Sequence, residues 1–312
     1  MTEHTNTFSV VIPTHNRLED LQQALTSVFS QTVKPLEIIV VDDGSTPKVS
    51  DDIFATAPDE TRTLLLRNES PKGAPHARNR GIEAASGSWI AFLDDDDEFK
   101  PNKIEQITNH IQQNPGCELI SHPADIHMVN EGVTYTSRPR QFTPEDDIFK
   151  SMLIKNEIGG TPMVAAKKKI LIEAGKFQES MPALQDYELW LRVARITTHF
   201  SLLPLPLTIC HYRSQKKSVS KSIKSNQSAI RFIEKKYSKE YKTFSKDEIK
   251  KHDQWKSRML IHKSILNGDI FSALGHQLKH LIHYPSLYNL MALCAILAGP
   301  EFIYRMKAKL GS

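Results

Sequence analysis

Apolar residues in the first third of this chain fall in short unbroken runs separated by stretches of helical spacing. Phe8–Pro13 (Phe-Ser-Val-Val-Ile-Pro), Glu37–Val41 (Glu-Ile-Ile-Val-Val) and Trp89–Leu93 (Trp-Ile-Ala-Phe-Leu) are rich in β-branched and aromatic residues and end at proline or aspartate. Such runs predict strands buried on both faces. Thr63–Arg67 is a further strand candidate. Between them Leu21, Ala24, Leu25 and Val28 recur at helical spacing, and Ala74–Ala85 reads as a second helix ending near Gly87. Strands with continuous apolar runs, alternating with helices, predict an α/β fold whose mostly parallel sheet is covered on both sides.

Beyond Lys100 the pattern loosens. Pro101–Gln113 reads as helix, Glu118–Met128 as strand and Thr134–Pro144 as irregular. Gln185–Ile196 is an amphipathic helix with Leu189, Trp190, Val193 and Ala194 on one side. Arg213–Ser228 is rich in lysine and serine and reads as a loop or linker. From Asn226 to Leu310 the chain is helix-prone, and no internal repeat is visible. The expected division is an α/β unit over residues 1–215 and a helical region over 216–312, facing an acceptor or membrane or packing on the first.

In an open α/β sheet, ligands bind beyond the carboxyl ends of the strands. The unusual polar residues stand there: Pro13-Thr14-His15-Asn16-Arg17, Asp42-Asp43 and Asp94-Asp95-Asp96-Asp97. Crowded carboxylates at a buried strand end repel one another without a counter-ion, and hard oxygen donors suit Mg²⁺ or Mn²⁺. Each stretch also has a plainer reading, as a solvated turn or a helix cap. Asp186, at the start of the amphipathic helix, is likewise a cap or a general base.

Composition narrows the class. Hydrophobic residues make up 39% and charged residues 24% of 312, as in ordinary globular proteins. A formal charge of +4 is too small for a nucleic-acid signature. Cys117, Cys210 and Cys294 lie outside any zinc or redox spacing, which predicts a reducing compartment. The first seven residues carry neither a basic nor an apolar leader segment, and Leu287–Ala298 is too short to span a bilayer. The expectation is a cytoplasmic protein with peripheral membrane contact as an option. His276–His283 and Leu287–Lys309 are apolar with cationic flanks; they can lie on an anionic bilayer or pack on the α/β unit, and packing is the expectation.

Taken in order, FSVVIPTHNR (Phe8–Arg17), LEIIVVDDGST (Leu36–Thr46), GAPHARNRGIEAASG (Gly73–Gly87), WIAFLDDDDE (Trp89–Glu98) and QDYELWLR (Gln185–Arg192) resemble glycosyltransferase family 2 over about residues 6–215. The resemblance implies the GT-A fold with a helical C-terminal extension. It also implies inverting transfer from a nucleoside-diphosphate sugar, with uridine as the commonest base, to a glycan or lipid-linked acceptor in bacterial surface polysaccharide synthesis. It places Pro13, Thr14, Asn16 and Arg17 around the nucleotide, Asp42 at the base, and Arg78, Asn79, Asp94 and Asp95 beside the ribose and diphosphate. Asp96 and Asp94 become candidate ligands of Mn²⁺ or Mg²⁺; beside the resemblance, His211, just before the lysine-rich stretch, reads as a further metal ligand or as part of an ordinary strand-to-loop transition. Asp186 becomes the general base, and Glu188 and Trp190 become acceptor contacts, with core packing the alternative for Trp190.

Two rivals share parts of this pattern. A sugar-phosphate nucleotidyltransferase needs a glycine-rich basic loop after the first strand, where this chain has Pro13-Thr14-His15-Asn16. A catalytically silent nucleotide-sugar or glycan-binding module would bind without turnover. A dinucleotide oxidoreductase is excluded, because no Gly-x-Gly-x-x-Gly follows a strand.

Overall fold

A computed structural model describes residues 6–214 and 222–310. The first five residues, on which the absence of a leader was partly read, lie outside the described residues. So do residues 215–221, which hold most of the lysine-serine stretch and the expected boundary at 215/216.

The central sheet has seven strands. In chain order they are β1 (Phe8–Thr14), β2 (Glu37–Asp42), β3 (Arg62–Arg67), β4 (Trp89–Phe92), β6 (Leu119–Ser121), β9 (Val164–Lys167) and β10 (Phe200–Leu202). Their spatial order is β10-β6-β9-β4-β1-β2-β3. The four strands β4-β1-β2-β3 are mutually parallel, while β9 runs antiparallel to both β4 and β6. Successive residues of a strand face opposite sides, and here both sides are core. Val11, Ile39, Val41, Ile90 and Phe92 join one hydrophobic cluster. Val10, Ile12, Ile38, Val40 and Trp89 join another.

The second cluster is closed by α1 (Leu18–Phe29) and α3 (Lys103–Gln113), through Leu21, Leu25, Val28, Ile104 and Ile107. The first is closed by α2 (Ala74–Ala84), α4 (Ile148–Ile154), α5 (Lys168–Glu173), α6 (Gln185–Ile196) and α7 (Ile223–Lys236). Helix α2 crosses β1 so closely that a Cβ at Gly81 would lie 2.3 Å from Val11 Cγ1. Ala229 and Ile233 of α7 belong to this same core, so the chain beyond residue 222 begins by packing on the sheet.

A smaller sheet has the order β5-β11-β7-β8, with β5 (Asp97–Phe99), β7 (Ala124–Met128), β8 (Val133–Thr136) and β11 (Thr208–Tyr212). After α8 (Ser238–Tyr241), four helices follow: α9 (Lys246–Leu266), α10 (Ile270–His283), α11 (Leu287–Ala298) and α12 (Pro300–Leu310). A third cluster joins them to this sheet through Met128, Cys210, Ile265, Leu266, Ile296 and Tyr304.

Three details differ from the sequence reading. The stretch Glu118–Met128 is two strands in different sheets, split at His122-Pro123, because proline has no N–H to continue the ladder. Val133–Thr136, read largely as irregular, is an edge strand paired with β7. Ile223–Ser228 is helix rather than loop, started by the Ser222 side chain accepting from Ser225 N.

Candidate active site

The carboxyl ends of β1, β2 and β4 meet at one rim. Their polar continuations are tied together rather than left in solvent. Thr14 Oγ1 donates to Asp95 Oδ2 at 2.9 Å. Arg17 Nη1 bridges Asp95 Oδ1 at 2.9 Å and Asp96 Oδ2 at 2.8 Å. Arg78, from α2, donates to Asp94 Oδ1 at 2.5 Å. Pro13 is buried in β1 beside Val41. Asn16 stands on the rim with a left-handed φ of 54° and fastens its loop to the turn after β2, accepting from Thr46 N at 2.7 Å. A non-glycine residue held there is strained, as is common at binding sites.

The four aspartates divide by alternation. Asp94 and Asp96 are partly exposed, whereas Asp95 and Asp97 are buried. Burial, with repulsion from Asp96 and Asp94, pushes Asp95 up to about 6 against the pull of Arg17 and Thr14. Asp96 is raised by burial and by Asp94, again opposed by Arg17. Asp97 lies well above the usual carboxylate range, from burial and then its two acidic neighbours. It belongs to β5, and its Oδ1 accepts from His211 N at 2.9 Å. Behind it the buried Lys103 donates to Pro162 O at 2.7 Å and Thr208 Oγ1 at 3.0 Å.

This cluster suits a divalent cation. Asp94 and Asp96 offer hard oxygens on the open face, and added positive charge would relieve the repulsion that raises their neighbours. Among the described residues no group of three His, Cys, Asp or Glu forms a ready metal cage. His211 is turned elsewhere: Nε2 meets Glu98 Oε1 at 2.8 Å, so ligation would require it to leave that partner.

Asp186 lies at the start of α6, where the helix dipole favours a carboxylate. It is entered through Leu184, another non-glycine residue with φ of 54°. Burial raises the Asp186 pKa, opposed by the Tyr187 N–H and the Arg78 charge and assisted by Asp94. The same Arg78 and Asp94 are ion-paired to each other, so Asp186 and the acidic rim share one electrostatic neighbourhood.

Several expected contacts are already engaged within the protein. Asp42 is buried, and its oxygens accept from Ser45 N at 2.8 Å, from Val49 N at 3.4 Å and from Arg67. Burial opposes its ionisation, but these bonds outweigh it and hold the pKa below normal. Asp42 therefore braces the loop after β2. Asn79 is also spent: Nδ2 donates to Phe177 O at 2.9 Å and Glu179 Oε1 at 3.0 Å, and Oδ1 accepts from Phe177 N at 2.8 Å. It fastens α2 to the segment leading to Asp186 rather than facing the rim.

Glu188 and Trp190 lie in the core instead of at an acceptor surface. Glu188 is fully buried between Arg192 and Lys236, the latter at 2.6 Å. Trp190 is equally buried, with Nε1 donating to Gly159 O at 3.2 Å, which is the packing alternative. Sequence reasoning passed over Arg67 and gave Asp43, noted only with Asp42, no role of its own. The Asp43 carboxylate accepts from Asn68 Nδ2, Lys72 N and Gly73 N at 2.6–2.9 Å, which sets the loop entering α2. The Asp42-Asp43 pair signalled a turn, but its partners came from distant segments.

The family model described as Glycosyl transferase family 2 matches residues 9–173, which contain every strand end at the rim. The chain belongs to glycosyl transferase family 2. It is similar to an uncharacterized glycosyltransferase of Haemophilus influenzae, 35% identical over 74% of this chain and 77% of that protein. A putative colanic acid biosynthesis glycosyl transferase of Escherichia coli K12, WcaA, is 30% identical over 59% of this chain and 65% of its own. Against a relative from Rickettsia bellii the match spans only 31% of that protein's length. In fold, the glycosyltransferase is similar to residues 1–349 of S. aureus TarS crystallised with UDP-GlcNAc. The TM-score is 0.60 at 18% identity, over 89% of this chain and 82% of that one. At that identity the likeness speaks to the GT-A architecture.

Proposed function

We propose that this glycosyltransferase moves a sugar with inversion from a nucleoside-diphosphate sugar, UDP-linked in the first instance, to a hydroxyl of a glycan or lipid-linked acceptor in surface-polysaccharide synthesis. The observation that carries the reading is the shared neighbourhood of Arg78, Asp94 and Asp186. On this reading Arg78 is the cationic group for the diphosphate and Asp186 the carboxylate for the acceptor proton. The UDP-GlcNAc held by TarS and the polysaccharide role in the description of WcaA support the donor and pathway classes.

Asp186 takes the proton of the acceptor hydroxyl as that oxygen attacks the anomeric carbon from the face opposite the diphosphate. Its raised pKa makes it a stronger base than a solvated carboxylate. Arg78 and Arg17 orient the diphosphate, and Asn16 with the Thr14 backbone shapes the nucleotide end. Asp94 and Asp96 would hold Mg²⁺ or Mn²⁺, which when bound neutralises charge on the departing diphosphate.

The test is a thermal-shift panel of nucleotide sugars with and without Mn²⁺, on the parent and on Asp96→Ala. Metal-dependent stabilisation by one donor, lost in the variant, is expected; ligand at about a hundred times Kd adds about 2.7 kcal/mol. Stabilisation that ignores both metal and Asp96 would remove the cation from the scheme.

A further inference from the structure

The outward face of the C-terminal helices has no partner within the described residues. On α10, Phe271, Leu278 and Ile282 are exposed, at 89%, 50% and 69%, and recur at a spacing that makes one stripe. On α11, Leu287, Met291 and Leu297 are exposed at 73%, 56% and 68%, over a broader arc. The opposite faces are buried through Ala273, Asn289 and Ile296. Gln277 Nε2 donates to Asn289 O at 2.7 Å and locks the two helices side by side. The packing expected for this region therefore holds for one side of each helix only. Exposed large apolar side chains grouped on two neighbouring helices are a feature that marks an interaction surface.

Charge shows what covers the stripes. No Asp or Glu occurs between Asp269 and Glu301, while on α10 Lys279 borders the apolar stripe and His276 and His283 lie further round the helix. These three line a cavity of about 430 Å³ together with Arg231 and Lys256. Asp253, the carboxylate among its lining residues, is ion-paired to Lys256 at 2.8 Å. His280 is buried against the same cavity with neither ring nitrogen hydrogen-bonded. An apolar stripe bordered by Lys279, with Arg231 across the cavity and no Asp or Glu on α10 or α11, matches the boundary between acyl chains and anionic headgroups. A second copy related by two-fold symmetry would instead set this cationic fringe against itself.

We propose that the α10–α11 hairpin is an interfacial lipid-binding element, laying its apolar stripes into the surface of an anionic phospholipid bilayer. At 12 residues α11 is only about 18 Å long, and no described helix is long and apolar enough to cross a membrane. The hairpin therefore lies in the interface plane. Helix α9, on which α10 packs, carries Lys263 within electrostatic range of Asp186. This inference stands apart from the identity of the donor.

The experiment is co-sedimentation of the full chain with vesicles of phosphatidylcholine alone and of equimolar phosphatidylcholine and phosphatidylglycerol. The parent should partition at least about tenfold more strongly onto the anionic vesicles, and salt should reduce the difference. Phe271→Ser/Ile282→Ser/Leu287→Ser should lower that partitioning at least about tenfold while keeping the parent's melting temperature and nucleotide binding. Tyr288→Trp, in the exposed face of α11, should shift its emission to the blue on anionic vesicles. Equal sedimentation of parent and triple variant, or no binding to either vesicle, overturns the proposal. So does a solution dimer of the parent that the triple variant converts to monomer, because the stripes would then be a protein interface.

Discussion

Replacing Glu188 by Gln keeps the shape of the side chain and removes its charge from a fully buried position. The carboxylate accepts from Arg192 Nε at 3.1 and 3.0 Å, from Arg192 Nη2 at 2.8 Å and from Lys236 Nζ at 2.6 Å. At an effective dielectric near 20, each close pair is worth about 4 kcal/mol before desolvation is subtracted. Breaking a buried pair by removing one partner costs about 3–5 kcal/mol. Lys236 is half-exposed and can turn to water, whereas Arg192 stays tied to the Ala174 and Lys176 carbonyls. The expected loss is therefore near the lower limit, about 3 kcal/mol, or a fall of about 5 °C in Tm for a chain of this size. Urea unfolding and a thermal melt measure it, with donor affinity of the folded variant unchanged. An unchanged Tm together with a raised KM for acceptor would refute the reasoning and return Glu188 to the acceptor site.

Three further outcomes follow from the same coordinates. Gly81→Ala should destabilise by about 1–3 kcal/mol despite alanine's better helix propensity, since its Cβ would overlap Val11 in the close contact of α2 with β1; a thermal melt no lower than the parent's contradicts that packing. Asp95, with its pKa raised to about 6, binds its proton more tightly when folded, so its contribution to stability falls as pH rises from about 4 to 6. Asp95→Asn should remove that fall, and the parent-minus-variant stability, followed by urea unfolding at about pH 4 and about pH 7 so as to span this window, should become more negative with pH; a difference that grows more positive contradicts it. Asn79→Ala should cost about 1–3 kcal/mol through the lost bridge to Phe177 and Glu179 and lower turnover more than donor affinity, as kinetics and calorimetry together would show.

Much of the fold is legible because parallel strands buried on both faces leave unbroken apolar runs. Phe8–Pro13, Glu37–Val41 and Trp89–Leu93 became β1, β2 and β4 within a residue or so. The acidic rim is legible for the complementary reason, that charge directly after such a run has no place in a core. What stayed hidden depends on partners far along the chain. Asp42 and Asn79 read as ligand contacts until Arg67 and Phe177 are seen to occupy them. Edge strand β8 has few apolar residues and is ordered by its pairing with β7. The apolar content of α10 and α11 is plain in the sequence, but composition alone does not distinguish a stripe facing the core from one facing outward.

The central claim is that Asp186 removes the acceptor proton beside the acidic rim. The direct measurement is release of nucleoside diphosphate from a saturating nucleotide-sugar donor, by the parent and by Asp186→Asn, with glycan or water as acceptor. The account predicts a loss of about 10²–10⁴-fold with donor affinity unchanged. Release at the parent's rate by the variant would contradict it and leave Asp186 as a helix cap.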